Sequence, residues 1–331
     1  MGRVEQRARA GWDREEQDGV PGGEELVALL DLGSNASRFV LARVVEGRGF
    51  WVLLKERVQT RLGDDRSGRL RRDAVDATLD AVQSFLRRAR SGRPPRVVAI
   101  ATAAVREASN RGLLLDALQD REGVAVRVLT GDEEASLGAE AALHSLPIQS
   151  GIVADLGGGS LQLTRIRARR LDWSASLPLG AIRLTQRFLQ GDPPTIEEIR
   201  VLREEVRSQV MPLVAARRTT DRLVGLGGTV RSLGRIHLAT RGHRRSRHGL
   251  RLRRADLAAI RGRLERLPSG ARESLPGLKA ERADTILAGL LTLEELMLAL
   301  GPRADMTVCT AGVRDGLLWR WAFGGPVRDP A

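Results

Sequence analysis

The chain has 331 residues, 54 Lys+Arg against 41 Asp+Glu, a formal charge of +13, one cysteine and no tyrosine. Its 42% hydrophobic and 29% charged content excludes a disordered chain, and the length suits about two domains of ~150 residues. The single Cys309 excludes a disulfide framework or a thiolate metal cluster, which points to a reducing cytoplasm.

Residues 1–24 carry no apolar segment like that of a signal peptide and are expected to form a disordered polar tail. Residues 26–31 (LVALLD) are a continuous apolar run that ends in Asp31, as a buried strand would. After Gly33-Ser34-Asn35 come SRFVLARVV and FWVLLKERV, so the spacing predicts a three-stranded antiparallel meander. Helical spacing follows over 71–90, then a buried strand at 96–105, a helix at 111–120 and a strand at 124–130. Asp132, Glu133 and Glu134 suit the positive end of a helix over 132–145.

The pattern then restarts. Residues 151–166 form a strand ending in Asp155, a turn at Gly157-Gly158-Gly159-Ser160 and a returning strand, with a third strand at 171–179. Helices are expected at 181–190 and 195–217, a strand at 221–228 and a helix at 229–239. A basic loop with a short strand at 241–254 precedes helices at 255–266 and 281–300, a strand at 306–310 and a terminal helix at 312–323. Asp31 and Asp155 thus hold equivalent places in two copies of one pattern, and an internal repeat of this kind sets the architecture. The expected fold is α/β, two duplicated domains with mixed sheets facing each other across a cleft. Domain I spans 25–148 and is completed by the terminal helix 312–323; domain II spans 149–311, with the break at 146–151. The apolar face of that terminal helix packs on domain I or on a second copy, as a homodimer. The most hydrophobic stretch, 283–300, is interrupted by Glu294 and Glu295, so no membrane span is expected.

Glycine turns let a ligand approach backbone amides that cradle phosphate oxygens, and a serine hydroxyl adds a donor. Two such turns, each after an aspartate, point to a phosphorylated ligand with a cation between it and the carboxylates, Mg²⁺ being the usual one and Mn²⁺ a substitute. Arg106 is a candidate phosphate clamp, and a glutamate at 133 or 134 could activate a water. Residues 225–229 (GLGGT) lack the third glycine of a dinucleotide fingerprint, and there is no phosphate-binding GxxxxGK[ST] loop. Aromatic content of 3% argues against a stacking platform for nucleic acid, and the run 241–254 reads as a solvated basic loop.

These motifs together resemble the exopolyphosphatase/guanosine pentaphosphate phosphatase (Ppx/GppA) family. The marks are DLGSNASRFVLARV (31–44), ATAAVREASN (101–110), LTGDEEASLGAEAAL (129–143), ADLGGGSLQL (154–163), LPLGAIRLTQRF (177–188), GLGGTVRSLGRI (225–236), ERADTILAGLLTLEELM (281–297) and AGVRDGLL (311–318). The resemblance implies two ribonuclease-H-like domains of the actin-like/sugar-kinase ATPase superfamily and cation-dependent release of orthophosphate from polyphosphate or a guanosine penta- or tetraphosphate. By position it implies Glu134 as general base, with Glu133 as fallback. It implies Asp155, helped by Asp31, at the metal, and Gly33, Ser34, Asn35, Arg106, Gly157, Gly158, Gly159 and Ser160 at the phosphates. There are two departures. Gln162 stands where the family usually has Glu, and the chain matches the short form without a C-terminal HD-type domain, so short chains are the expected substrates. The rival reading is a catalytically weak or inactive regulatory protein that binds polyphosphate or an alarmone.

Overall fold

The computed structural model describes residues 23–63, 67–90, 94–215, 222–243 and 245–324. Residues 1–22 of the expected tail and Arg244 of the basic run lie outside them. The first sheet holds β1 (Glu24–Leu32), β2 (Ser37–Val45), β3 (Gly49–Val58), β4 (Arg96–Ala101) and β5 (Val126–Val128) in the order β3-β2-β1-β4-β5. The second holds β6 (Gly151–Leu156), β7 (Leu161–Arg167), β8 (Arg170–Leu177), β9 (Arg222–Leu226), β10 (Arg251–Arg253) and β11 (Asp305–Val308) in the order β10-β11-β9-β6-β7-β8. In each, the Asp-bearing strand is central. It pairs antiparallel with the second strand of a meander and parallel with a later strand (β1 with β4, β6 with β9). The duplication is therefore one of topology, and β10 is an antiparallel addition on the far edge of the second copy. β1 already pairs at Glu24 with Val45, so the strand takes in the last residue assigned to the tail.

Three sequence expectations shift. The strand expected over 96–105 stops at Ala101, where its partner β1 ends at Leu32. The amides of Val105 and Arg106 then turn back to the Thr102 carbonyl, opening the short helix α2 (Ala103–Glu107). The strand expected over 124–130 is only three residues long, because β5 pairs with β4 alone. The helix expected from 281 begins as a 3₁₀ turn at Ala280–Arg282 and becomes α-helical only at Ile286. Glu281 and Asp284, at that irregular start, reach toward the first sheet instead.

Around the sheets lie α1 (Arg72–Ala89), α3 (Gly112–Glu122), α4 (Gly131–Ser145), α5 (Ala181–Phe188), α6 (Ile196–Ala215), α7 (Gly227–Thr240), α8 (Arg254–Leu264), α9 (Ser269–Arg272), α10 (Ile286–Leu300) and α11 (Val313–Ala322). α1 covers the outer face of the first sheet, where Phe85 stacks on Phe39 at 5.4 Å. α4 and α11 form the layer between the sheets. Ala139, Ala142 and Leu143 of α4 pack on Val153, Ile166 and Val224. Leu317 and Leu318 of α11, with Leu137, pack on Val27, Leu29 and Val40. The terminal helix thus lies against the first sheet, with Trp319 stacked on His144 at 4.6 Å.

α10 is buried almost throughout, including Glu294 and Glu295. Buried carboxylates require partners, and Arg203, Arg207 and Arg261 supply them at 2.7–3.1 Å. Among the described residues no helix is long and apolar enough to cross a membrane. Part of the basic run is tied down at the surface: Arg241 pairs with Asp256 at 2.8 Å and Arg251 with Asp305, while the part-buried His248 bonds the Ser145 carbonyl at 2.8 Å.

Candidate active site

The two glycine turns meet in one cleft. A side chain added at Gly158 would stand 3.0 Å from the Ser34 Cβ, and one at Gly159 would stand 2.9 Å from the Ser34 Oγ. The second turn is anchored from behind. The amides of Ala181 and Ile182 donate to the carbonyls of Gly157 and Gly158 at 3.0 and 2.9 Å, and Arg183 Nε donates to the Gly159 carbonyl at 2.9 Å. In a trans peptide the N–H points opposite to the preceding C=O. The amides of Gly158, Gly159 and Ser160 are thereby turned toward the cleft, as an anion nest requires. The first turn follows the same logic: the carbonyls of Ser34 and Asn35 accept from Gly63 and Arg61 at 2.8 and 3.3 Å. Asn35 Nδ2 is buried with no hydrogen-bond partner among the described residues.

Glu134 faces this cleft from the first turn of α4 and is 7% exposed. Burial raises its pKa to about 7, opposed by Arg106 and reinforced by Asp155 and Asp31. Arg106 Nη1 donates to Glu134 Oε2 at 3.1 Å and to the Leu129 carbonyl at 2.9 Å. Arg106 therefore holds the glutamate and does not line the cavity wall. Glu133, the neighbouring candidate, is occupied elsewhere. Its carboxylate caps its own helix by accepting from the Thr130 amide at 2.8 Å, and it pairs with Arg127. Such a capping box fixes a helix start and leaves no carboxylate for a cleft.

Asp31 and Asp155 both line the cavity, in different company. Asp31 Oδ2 lies 3.3 Å from Arg38 and 3.8 Å from Arg314. Asp155 has no ion pair among the described residues; burial raises its pKa, while Arg231 and Arg38 act more distantly to lower it. Gln162, opposite Asp155 across β6 and β7, donates to the hydroxyls of Ser160 and Ser176 at 2.6 and 3.1 Å. Its Oε1 is buried without a hydrogen-bond partner among the described residues.

Four arginines that the sequence reading did not single out also reach the cavity: Arg38, Arg231, Arg282 and Arg314. They come from β2, α7, the 3₁₀ turn and α11. Burial lowers the pKa of Arg231 to about 10 and of Arg282 to about 9, and neighbouring guanidiniums add to both shifts. Arg282 lies directly over Gly228, where an added Cβ would stand 1.9 Å from its Nη2 and push the guanidinium aside. Buried like charges crowded together favour an anion between them. All four residues sit inside the quoted family segments, so their presence was legible, but their convergence was not.

A sequence model of the Ppx/GppA phosphatase family matches residues 40–323. The chain belongs to the Ppx/GppA phosphatase family. It is 31% identical over 313 residues to exopolyphosphatase 2 of Mycobacterium tuberculosis, across 88% of this chain and 97% of that one. It is 35% identical over 310 residues to an uncharacterized protein of Streptomyces coelicolor, across 90% and 91% of the two chains. Among solved structures, an exopolyphosphatase from Cytophaga hutchinsonii superposes with a TM-score of 0.85 at 23% identity, over 92% of this chain and 100% of that one; that likeness is one of fold. The fold is the two-domain, actin-like ATPase type of Ppx/GppA proteins, and the protein is a phosphoanhydride hydrolase.

The Ppx/GppA cleft also bears on a cation. Among the described residues no group of three His, Cys, Asp or Glu side chains could cage a metal by itself. The fit is to a hard divalent ion shared with substrate oxygens, which needs only one or two protein carboxylates. Asp155, enclosed and without an ion-pair partner, matches that donor. Asp31 is already matched by two arginines.

Proposed function

We propose that this Ppx/GppA protein releases terminal orthophosphate from inorganic polyphosphate, with short chains as its substrates, in a cytoplasmic setting. The observation that carries this is Glu134: a buried carboxylate with a pKa of about 7, held by Arg106 at 3.1 Å, in the cleft where two phosphate-cradling turns meet. A base works best when its pKa lies near the working pH. At neutral pH about half of Glu134 is ionised and can accept a proton.

The terminal phosphoryl group would lie on the amides of Gly158, Gly159 and Ser160 and on the facing turn of Gly33, Ser34 and Asn35. Glu134 Oε orients a water and takes its proton as the water oxygen forms its bond to phosphorus. The bridging P–O bond breaks on the opposite side, and the shortened chain leaves with that oxygen and its electron pair. Arg38, Arg231, Arg282 and Arg314 spread positive charge around the leaving phosphates, where preorganised donors act most strongly. A divalent cation, Mg²⁺ or Mn²⁺, held by Asp155 would supply further neutralisation of charge on the phosphate oxygens. Among the described lining residues none is aromatic, so the cleft offers no ring on which a guanine could stack. That favours polyphosphate over guanosine pentaphosphate. The rival reading of a non-hydrolysing binder rests on Gln162, whose neutral amide stands in the metal motif.

The test is orthophosphate release from defined-length polyphosphate and from guanosine pentaphosphate, with Mg²⁺ or Mn²⁺, comparing wild type with Glu134→Gln. Loss of a general base should slow release about 10²–10⁴-fold. An unchanged rate would remove Glu134 as the base, and tight binding without turnover by wild type would establish the rival.

A further inference from the structure

The positive charge of the cleft does not stop at the phosphate turns. Arg38 lies close enough to Arg231, Arg282 and Arg57 to depress the pKa of all three, and Arg57 and Arg231 add to the depression at Arg282. Arg57, at the end of β3, and Arg61, in the segment that follows it, stand on the first-sheet side outside the cavity lining. Across the mouth, Arg57 pairs with Glu281, and Arg61 Nη1 lies 2.8 Å from Asp284 Oδ2. Gln59 Nε2 adds a 3.3 Å bond to the Glu281 carbonyl. Glu281 and Asp284 flank Arg282, which lines the inner cavity.

These pairs are incomplete. Arg57 Nη2 and Asp284 Oδ1 are buried with no hydrogen-bond partner among the described residues. Lys279 also stands 3.8 Å from Glu281, so that carboxylate answers to two cations. Arg61 is held at φ +48°, a left-handed conformation uncommon outside glycine. Its amide bonds the Asn35 carbonyl at 3.3 Å, so the mouth segment is tied directly to the first phosphate turn.

We propose that Arg57 and Arg61 form an outer phosphate subsite whose present anions, Glu281 and Asp284, are displaced when a condensed phosphate chain leaves the inner cavity past them. The inference rests on the polyphosphate reading and extends it: the inner turns take the terminal phosphoryl group, and the mouth arginines take phosphates further along. A phosphate chain offers acceptor oxygens at every repeat, which can satisfy the open donor on Arg57 as one carboxylate does not. Glu281 and Asp284 then act against other anions, since a ligand must replace both carboxylates to enter.

The two partners of one ion pair supply the test. Binding of tripolyphosphate and of a chain of several tens of phosphates is measured by calorimetry in buffer without added metal, for wild type, Arg57→Ala and Glu281→Gln. Both substitutions break the same bridge. A subsite predicts opposite signs: Arg57→Ala weakens binding of the long chain about tenfold, whereas Glu281→Gln tightens it about threefold. Tripolyphosphate should respond less to either change. If both variants shift affinity in the same direction, or neither shifts it, the pair is only a latch and the subsite is overturned, while hydrolysis by wild type leaves the polyphosphate reading intact. If wild type neither binds nor hydrolyses any polyphosphate, both readings fall. Thermal melting checks folding, and Arg57→Met, which keeps the apolar stem, replaces the alanine variant if that one does not fold.

Discussion

The two copies of the Asp–Gly motif place their aspartates at the same point of the same kind of strand pair, and differ in what lies opposite. In the first sheet Asp31 faces Arg38; in the second, Asp155 faces Gln162. Residues directly across a strand pair have Cβ atoms about 4.5–5.5 Å apart, close enough for the partner to decide the state of a carboxylate. Arg38 reaches Asp31 at 3.3 Å and neutralises it. Gln162 turns its amide to two serine hydroxyls and leaves Asp155 without a direct ion pair among the described residues. One motif has become an internal ion pair that aims arginines into the cleft. The other has kept a buried carboxylate with no direct ion pair among the described residues. Duplication supplied two similar turns, and a single cross-strand position divided their work.

The sharpest way to break this comparison is to remove each aspartate in turn. Asp155→Asn should slow phosphate release about 10²–10³-fold and abolish divalent-cation binding, whereas Asp31→Asn should cost about tenfold and leave the cation in place. Their melting temperatures at neutral pH should move in opposite directions. Asp31→Asn strands two arginines and destabilises by about 1–3 kcal/mol, while Asp155→Asn removes a carboxyl whose burial disfavours its charge and is stabilising. Equal losses in activity with equal thermal shifts would show that the two sites are not divided.

The cross-strand position gives the next largest effect. Gln162→Arg rebuilds the first copy's arrangement in the second and should weaken Mn²⁺ binding, followed by paramagnetic resonance, at least tenfold. Gln162→Glu should strengthen it, since a second carboxylate joins Asp155. No change in either variant would mean that position 162 does not act on the cation.

Smaller effects come from the ionisation of Glu134. Protonated Glu134 cannot accept a proton, so the rate of phosphate release should rise with pH through about 7. Arg106 lowers that pKa, and Arg106→Gln should therefore move the acid limb of the profile upward by about one unit. Stability carries the opposite sign. A carboxyl whose folded pKa is raised favours the folded state least once it must ionise, so this contribution is lost as pH rises through about 7. Glu134→Gln should accordingly raise the melting temperature at pH 8 and have no effect at pH 4, a difference on the order of 1–3 kcal/mol. A variant with the same melting curve as wild type at both values would contradict the buried, ionisable state of Glu134.

Local patterns made much of this protein legible before any coordinates. Alternating and continuous apolar runs follow from the pleat and burial of strands, so both meanders could be read from LVALLD and GIVADL onward, and the repeat of Asp and glycine turns set the duplicated topology. The end of the strand at 101 and the late helix start at 286 are not legible in the sequence, because pairing length and cross-cleft ion pairs lie outside any short window. Among the 54 Lys and Arg residues the sequence singles out Arg106 alone as a phosphate contact. In the folded chain Arg106 serves Glu134, and Arg38, Arg231, Arg282 and Arg314, separated by up to most of the sequence, meet around one pocket. The choice between Glu133 and Glu134 was equally closed to sequence, since adjacent residues on a helix differ only in the direction they face, and the capping box and the cleft decide between them. Sequence by itself determined the architecture and the turns, because those depend on neighbours along the chain. Which charges confront one another, and which are left unmatched, depends on residues brought together through space, and only the tertiary structure decided that.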